Sequence, residues 1–394
     1  MQIHGGEGKT KDIRLDFSVN VNPLGMPRSV RNALAGLLLD PAAMEVYPDR
    51  TCEGLRRAAA GHYGVPEDWI VCGCGASELI YKIAGLYRGC RALVISPGFG
   101  EYEKALREAG CGLTVLKLKR ERDFSFDEDF YERFCRAVGA GENRPDLVFL
   151  CSPNNPVGGR IPHEMLKNML RLCMCRGVRA VVDECFLPFV TEKERTLEFL
   201  KEYAQESFHT GAGLKNGRTE ESLPDEWNGN VAQVKNEVPC PVILKALTKS
   251  HAIPGVRLGL AISPDTEFVR SIRETGAPWT VSGVAAVLGE AAFLAWDEGE
   301  FRHMRNAVAE ERKFLVSGLT EAGAKVYSGE GNFILFSVSA GESLFEFMRG
   351  RGILIRSCES FGLGTDFYRI AVRTREENES FLSAFCTWAI RGRN

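Results

Sequence analysis

The chain has 394 residues, 44% hydrophobic and 26% charged, with 41 glycines and 17 prolines, so there is apolar material for one large core and a smaller one, in about two domains. A net charge of −3 gives no electrostatic footprint for nucleic acid or a membrane surface, and no window approaches the roughly 20 uninterrupted apolar residues of a membrane span. The first six residues lack the basic-then-apolar order of a secretory signal, and thirteen cysteines without zinc-knuckle spacing read as buried thiols of a reduced, cytoplasmic protein that holds no metal.

Along the chain, short apolar runs alternate with helix-like stretches from residue 70 to 262. Strands are predicted over 92–96, 113–118, 147–151, 180–183, 242–247 and 257–262, and helices over 100–109 and 163–175. Strands apolar on both faces and separated by helices indicate an α/β fold around a mostly parallel, doubly covered sheet. Residues 202–239 break the pattern: they are polar and glycine-containing, and read as a surface insertion. One long helical region is expected over 281–318. Short strands follow over 333–338, 353–357 and 368–372, with helices over 343–349 and 376–390, as in a second α+β domain. The expected division is an N-terminal arm (1–45), a large domain (46–275) and a small C-terminal domain (276–394).

Ligands of parallel sheets bind beyond the carboxyl ends of the strands, and the chemically informative residues cluster there. Lys249 follows a predicted buried strand and precedes Pro254-Gly255-Val256-Arg257-Leu258-Gly259. An amine that must attack an aldehyde needs a lowered pKa, which burial and a cation such as Arg257 supply; Arg257 also offers a planar fork to a phosphate. Asp183 ends a buried run, where a carboxylate is costly without a cation against it. A protonated pyridinium nitrogen is such a cation. Asn155 sits in Ser-Pro-Asn-Asn-Pro-Val-Gly, a turn in any case, with its amide placed to reach a ring hydroxyl. Gly75, Ala76 and Ser77 open a helix and so form a candidate phosphate cradle. Either Phe99 or Tyr102 is a candidate to stack on the ring, although core packing is the commoner fate of an aromatic.

The ordered series Asn-Asn-Pro-x-Gly, Asp-Glu and Thr-Lys…Pro-Gly-x-Arg-x-Gly resembles the fold type I, aspartate-aminotransferase-like superfamily of pyridoxal-phosphate enzymes over nearly the full chain. His4-Gly5-Gly6, the stretch 15–25, the pair of stretches 353–358 and 368–373, and Ala277-Pro278-Trp279-Thr280-Val281-Ser282 are further similar to its threonine-phosphate decarboxylase family, close to the histidinol-phosphate aminotransferases. The resemblance implies pyridoxal 5'-phosphate as cofactor, with Lys249 condensing with its aldehyde and Gly75, Ala76, Ser77, Phe99, Tyr102, Asn155, Asp183, Thr248 and Arg257 around it. It implies a homodimer in which Tyr47 reaches the phosphate in the other subunit's site. It also implies a small phosphorylated amino acid as substrate, held by His4, Gly5, Asn20, Asn155, Arg356 and Arg369.

Ala246 departs from the superfamily, which has Ser or Thr three residues before the lysine; Thr248 or a water is then expected to supply the missing bond. The implied reaction is decarboxylation of L-threonine O-3-phosphate, with O-phospho-L-serine as a second substrate. The alternatives are histidinol-phosphate transamination and, from another class, a non-catalytic regulator on the same fold. The chain before Asp16 is short for a helix-turn-helix, which argues against the regulator.

Overall fold

The computed structural model describes residues 12–139, 141, 143–209, 238–339 and 343–391. Its strands in chain order are β1 (Leu15–Asp16), β2 (Ile70–Gly73), β3 (Arg91–Ser96), β4 (Gly112–Lys117), β5 (Leu147–Cys151), β6 (Arg179–Asp183), β7 (Val242–Ala246), β8 (Gly259–Ile262), β9 (Lys325–Val326), β10 (Phe333–Ser337), β11 (Ile353–Leu354), β12 (Arg356–Ser357) and β13 (Phe367–Ala371). Seven of them form one sheet in the order β2-β8-β7-β6-β5-β3-β4. Within it β8 alone runs against its neighbours β2 and β7, while the β3/β4, β3/β5, β5/β6 and β6/β7 pairs are parallel. An antiparallel neighbour needs no crossover helix, so the β7–β8 connection is free to carry Lys249 and Arg257 instead.

Both faces of this sheet are covered. Leu147, Phe149 and Cys151 of β5 enter one core, with Val181 and Leu244, and Val148 and Leu150 enter the other, with Val182 and Ile243. That period-two division of uniformly apolar strands is the physical content of the predicted α/β sheet. A further core gathers Phe336, Ile370, Phe381 and Phe385 from the C-terminal part of the chain, where β12, β13, β10 and β9 form an antiparallel sheet.

Three predicted elements differ. The region 281–318 is two helices, Gly283–Leu294 and Glu298–Glu321. Between them Asp297 caps the second helix by accepting from the backbone N–H groups of Gly299 and Glu300, an N-terminal signal inside an otherwise continuous apolar period. The strand at 353–357 divides at Ile355, since β11 pairs with β1 while β12 pairs with β13. The polar insertion expected from residue 202 overlaps a helix, Arg195–His209, which continues through its first residues. Leu197, Leu200 and Tyr203 recur every three residues on that helix and pack against the core, which outweighs the polar composition. Of the expected insertion 202–239, residues 210–237 lie outside the described residues. Among the described residues no helix is long and apolar enough to cross a membrane.

Candidate active site

The carboxyl ends of β5, β6 and β7 open into a cavity of about 270 Å³, roofed by the N-terminal arm and by β12 and β13. Lys249 stands in it on a single helical turn, Leu247–Ser250, directly after β7. Asp183 is the last residue of β6, and Asn155 follows β5. The helix Gly75–Leu86 starts after β2 and turns Ala76 and Ser77 toward the cavity. Phe99 and Tyr102 come from the helix start after β3, and Arg257 from the approach to β8. Arg356 and Arg369 face each other as register partners on β12 and β13.

The arm is registered to the lysine. Asn22 donates its backbone N–H to Lys249 O at 2.9 Å and its side-chain Nδ2 to Ser250 O at 3.0 Å. On its other side the arm joins the C-terminal sheet, where Ala371 N donates to Phe17 O at 2.8 Å and Arg369 Nη2 donates to Ser18 O at 2.8 Å. Asn20 is thereby carried into the cavity wall, 2% exposed.

Electrostatics follow from this placement. Burial lowers the Lys249 amine to about 8, with Arg369 and Arg257 pushing the same way and Cys185 and Asp183 opposing. The neutral, nucleophilic form is then within reach at physiological pH. Asp183 accepts from Tyr102 Oη at 2.6 Å through Oδ2 and from Cys185 N at 2.9 Å through Oδ1; both donors are neutral. Burial, and then Asp183, raise the Tyr102 phenol well above its ordinary value, so it stays a donor. Arg369 Nη1 donates to Asn155 Oδ1 at 2.5 Å, and burial lowers Arg369 to about 10. Arg257 holds a left-handed φ of +61°, and Gly75, at φ +78°, lies under its guanidinium: a Cβ there would meet Arg257 Nη2 at 2.6 Å. Strain of this kind collects at functional sites.

The structure brings Ala76, Ser77, Phe99, Tyr102, Asn155, Asp183, Thr248, Lys249, Arg257, Asn20, Arg356 and Arg369 of the expected set together around one cavity. Gly75 lies beneath Arg257. Tyr102 stacks on Phe149, at 5.1 Å and 12°, so it is Phe99 that keeps an aromatic face for the cavity. Ala246 lines the cavity as well, with Thr248 beside it. Tyr47 is 84% exposed, 5.2 Å from the Trp279 ring and away from the cavity of its own chain. His4 and Gly5 lie outside the described residues. Cys185, Phe186, Ser360 and Phe361 also line the cavity and were not expected. The first two follow Asp183-Glu184 directly, so strand-end placement was a usable signal; Ser360 and Phe361 depend on a turn that no local motif announces.

Glu184, next to Asp183, points the other way. Lys245 Nζ donates to Glu184 Oε2 at 2.7 Å and to Glu194, and Thr196 Oγ1 donates to Glu184 Oε1 at 2.5 Å. Burial raises Glu184, while its carboxylate partners hold Lys245 above its ordinary value. This buried ion cluster ties β6 to β7 behind the cavity.

The residues fit pyridoxal phosphate. Among the described residues the donors to Asp183 are neutral, where a protonated ring nitrogen would supply the cation. Asn20 Oδ1 and Arg369 Nε are buried with no partner among the described residues, two polar atoms that a bound ligand would satisfy. A Cβ on Gly259 would meet Ala76 N at 2.5 Å, so the first turn of the Gly75–Leu86 helix is seated directly on β8, beside Arg257. Among the described residues no group of three or more His, Cys, Asp or Glu could hold a metal, and all thirteen cysteines are free.

Comparison with known proteins agrees. The family model described as aminotransferase class I and II matches residues 12–385. A threonine-phosphate decarboxylase of Salmonella typhimurium is 30% identical over 97% of this chain and 95% of its own length. The crystal structure of a histidinol-phosphate aminotransferase from Clostridium acetobutylicum superposes with a TM-score of 0.76 at 26% identity, covering 96% of this chain and 99% of that one. The histidinol-phosphate aminotransferase of Sinorhizobium meliloti, solved in complex with pyridoxal-5'-phosphate, gives a TM-score of 0.75 at 18% identity over 97% of this chain and 92% of its own.

Proposed function

This chain belongs to the class I and II aminotransferase family and uses pyridoxal phosphate; on that premise we propose that it decarboxylates L-threonine O-3-phosphate to (R)-1-amino-2-propanol O-2-phosphate, a building block of the cobalamin side chain. The observation that carries this reading is the presence of three guanidiniums around Lys249. Arg257, at the Gly75–Ser77 helix start, serves the cofactor phosphate. Arg356 and Arg369 are then left for a substrate with both a phosphate and a carboxylate, which calls for two charge-assisted forks. The relative named threonine-phosphate decarboxylase supports the same substrate.

Bound pyridoxal phosphate supplies an electron sink for the bond that breaks at Cα. Lys249 Nζ would condense with its aldehyde, Asp183 would hold the proton on its ring nitrogen, and Asn155 would reach its ring hydroxyl. Arg356 and Arg369 would hold the substrate's phosphate and carboxylate, so that positioning, rather than an added functional group, selects the Cα–carboxylate bond over Cα–H. Lys249 Nζ would supply the proton that replaces the carboxylate on Cα as carbon dioxide is released. His4, Gly5 and Asn20 would join the two arginines in holding the substrate's phosphate and carboxylate. Tyr47, exposed in its own chain, reaches the phosphate in a second subunit, so the working unit is a homodimer, and the enzyme is cytoplasmic. O-phospho-L-serine, lacking one methyl worth ~1–3 kcal/mol in a pocket, is a slower substrate.

Histidinol-phosphate transamination is the competing reading, favoured by the likeness to the Clostridium acetobutylicum structure. Purified protein given threonine phosphate and no 2-oxo acid should release carbon dioxide stoichiometrically with amine phosphate. Turnover that strictly requires 2-oxoglutarate would replace the decarboxylase reading with the transaminase one.

A further inference from the structure

Tyr102 reaches across the sheet. Its helix, Gly100–Glu108, starts after β3, and its phenol ends on Asp183 at the tip of β6, with β5 lying between the two strands. Oη donates to Asp183 Oδ2 at 2.6 Å, while Asp183 Oδ1 accepts from Cys185 N at 2.9 Å. The carboxylate is therefore held through both oxygens, one by backbone and one by a side chain, which fixes its rotation. Asp183 and Tyr102 are both buried, so bulk water does not compete for the bond.

The phenol is itself held in place. Its ring stacks on Phe149 of β5 at 5.1 Å and 12° and meets the Phe99 ring edge-on at 5.6 Å and 85°. Tyr102 N also donates to Phe99 O at 3.2 Å, so the aromatic that faces the cavity and the one that holds Asp183 belong to one turn. Asn154 Nδ2 ties that turn to the loop after β5 by donating to Pro97 O at 3.3 Å, and a Cβ on Gly98 would collide with Ile95 O. Packing accounts for the ring but not for the hydroxyl, since a phenylalanine would fill the same stack without burying a polar atom. Burial, and then the charge of Asp183, raise the phenol well above its ordinary value, so it donates at any working pH. A neutral donor to a buried carboxylate favours the ionised form.

We propose that Tyr102 is a positioning residue for the cofactor's ring nitrogen: its phenol keeps the Asp183 carboxylate ionised and in one orientation, so that the proton shared between carboxylate and ring stays on the nitrogen. This deepens the reading that Asp183 meets the ring nitrogen, and rests on it. Tyr102 makes no bond in the reaction and acts through Asp183. Without the hydroxyl, Asp183 gains proton affinity, about ten- to a hundredfold for one hydrogen bond to a charged group, and draws the proton off the ring. A ring that loses this charge is a weaker electron sink, and the Lys249 nitrogen, once joined to the aldehyde, becomes more basic.

The test compares Tyr102→Phe and Asp183→Asn with the unaltered holoenzyme, each loaded with pyridoxal phosphate or with its analogue carrying carbon in place of the ring nitrogen. The pH of the visible absorbance transition reports the Lys249 nitrogen, and the nitrogen-15 resonance of labelled cofactor reports the ring. In Tyr102→Phe, which keeps the stacked ring, the transition should rise by about one pH unit and the ring resonance should move toward its unprotonated position. With the analogue the same substitution should leave the transition where it was, an outcome that a merely structural role would not give. If Tyr102→Phe does not fold, 3-fluorotyrosine at position 102 keeps the ring and strengthens the donor, and should move the transition to lower pH. An unmoved transition with pyridoxal phosphate, or an equal shift with the analogue, overturns the proposal. A transition that is unmoved in Asp183→Asn as well removes the ring-nitrogen reading along with it. One that moves in Asp183→Asn but not in Tyr102→Phe overturns the role of Tyr102 alone.

Discussion

Gly259 sits in β8 between two partners, in register with Gly73 of β2 and Ala246 of β7, and its missing side chain is where the helix carrying Ala76 and Ser77 rests. A Cβ at Gly259 would lie 2.5 Å from Ala76 N and 2.6 Å from Gly75 C, about 0.9 Å short of ordinary contact. Both obstructing atoms are backbone, so no side-chain rotation relieves them and the helix start itself must shift. Overpacking of this kind costs ~1–3 kcal/mol. If the displacement falls on the phosphate cradle, cofactor affinity drops about 5- to 150-fold. The perturbation is Gly259→Ala, and the assay is titration of the apoenzyme with pyridoxal phosphate followed by visible absorbance, alongside a thermal melt. Gly255→Ala is the matched control, in the same Pro-Gly-x-Arg-x-Gly segment but with nothing within 4 Å of its Cβ; its cofactor affinity should match the unaltered protein. A Gly259→Ala protein that folds and binds the cofactor within twofold of the control would contradict the proposed phosphate cradle at Gly75–Ser77.

Because the Lys249 amine is lowered to about 8 by burial and by Arg369 and Arg257, the rate of aldehyde capture by apoenzyme should climb about tenfold per pH unit below 8 and level off above it; a rate still climbing steeply past pH 9 would contradict that. His251, beside Ser250 Oγ and the Trp296 and Phe301 rings, is lowered by burial, and then by His62, to about 3. Its folded pKa lies below the unfolded one of 6.5, so its contribution to stability is complete above pH 6.5 and lost as pH falls toward 3. A His251→Phe protein should therefore lose less melting temperature than the unaltered one between pH 6.5 and 4; parallel curves would refute this. Lys245→Met strands Glu184 in a buried site without its cation and should cost ~3–5 kcal/mol in urea denaturation, whereas a loss below 1 kcal/mol would mean that the cluster is open to water.

The parallel sheet was legible because short, mostly apolar runs alternate with helical stretches along the chain. The side of the cavity around Lys249 was legible because strand ends and helix starts are local: Asp183 ends β6, Lys249 follows β7, and Gly75 opens a helix, each within a few residues of an apolar run. The long-range parts were not. That Arg356 and Arg369 face one another depends on the pairing of β12 with β13, and that Phe361 lines the cavity depends on a turn closed at Gly362. Neither leaves a periodic trace in sequence. Tyr102 shows the opposite limit, since an aromatic near a strand end has two uses, and only the stacked Phe149 ring and the Asp183 carboxylate decide between them. The break at Asp297 was readable as a cap, but it was hidden by a helical period that resumes in phase on its far side.

The covalent attachment point of the cofactor decides most. Borohydride reduction of the cofactor-loaded protein, followed by peptide mass mapping, should place one pyridoxyl group on Lys249 and none on Lys245, four residues away behind the sheet. A label on Lys245, or a protein that takes no label while still folded, would contradict the account at its root.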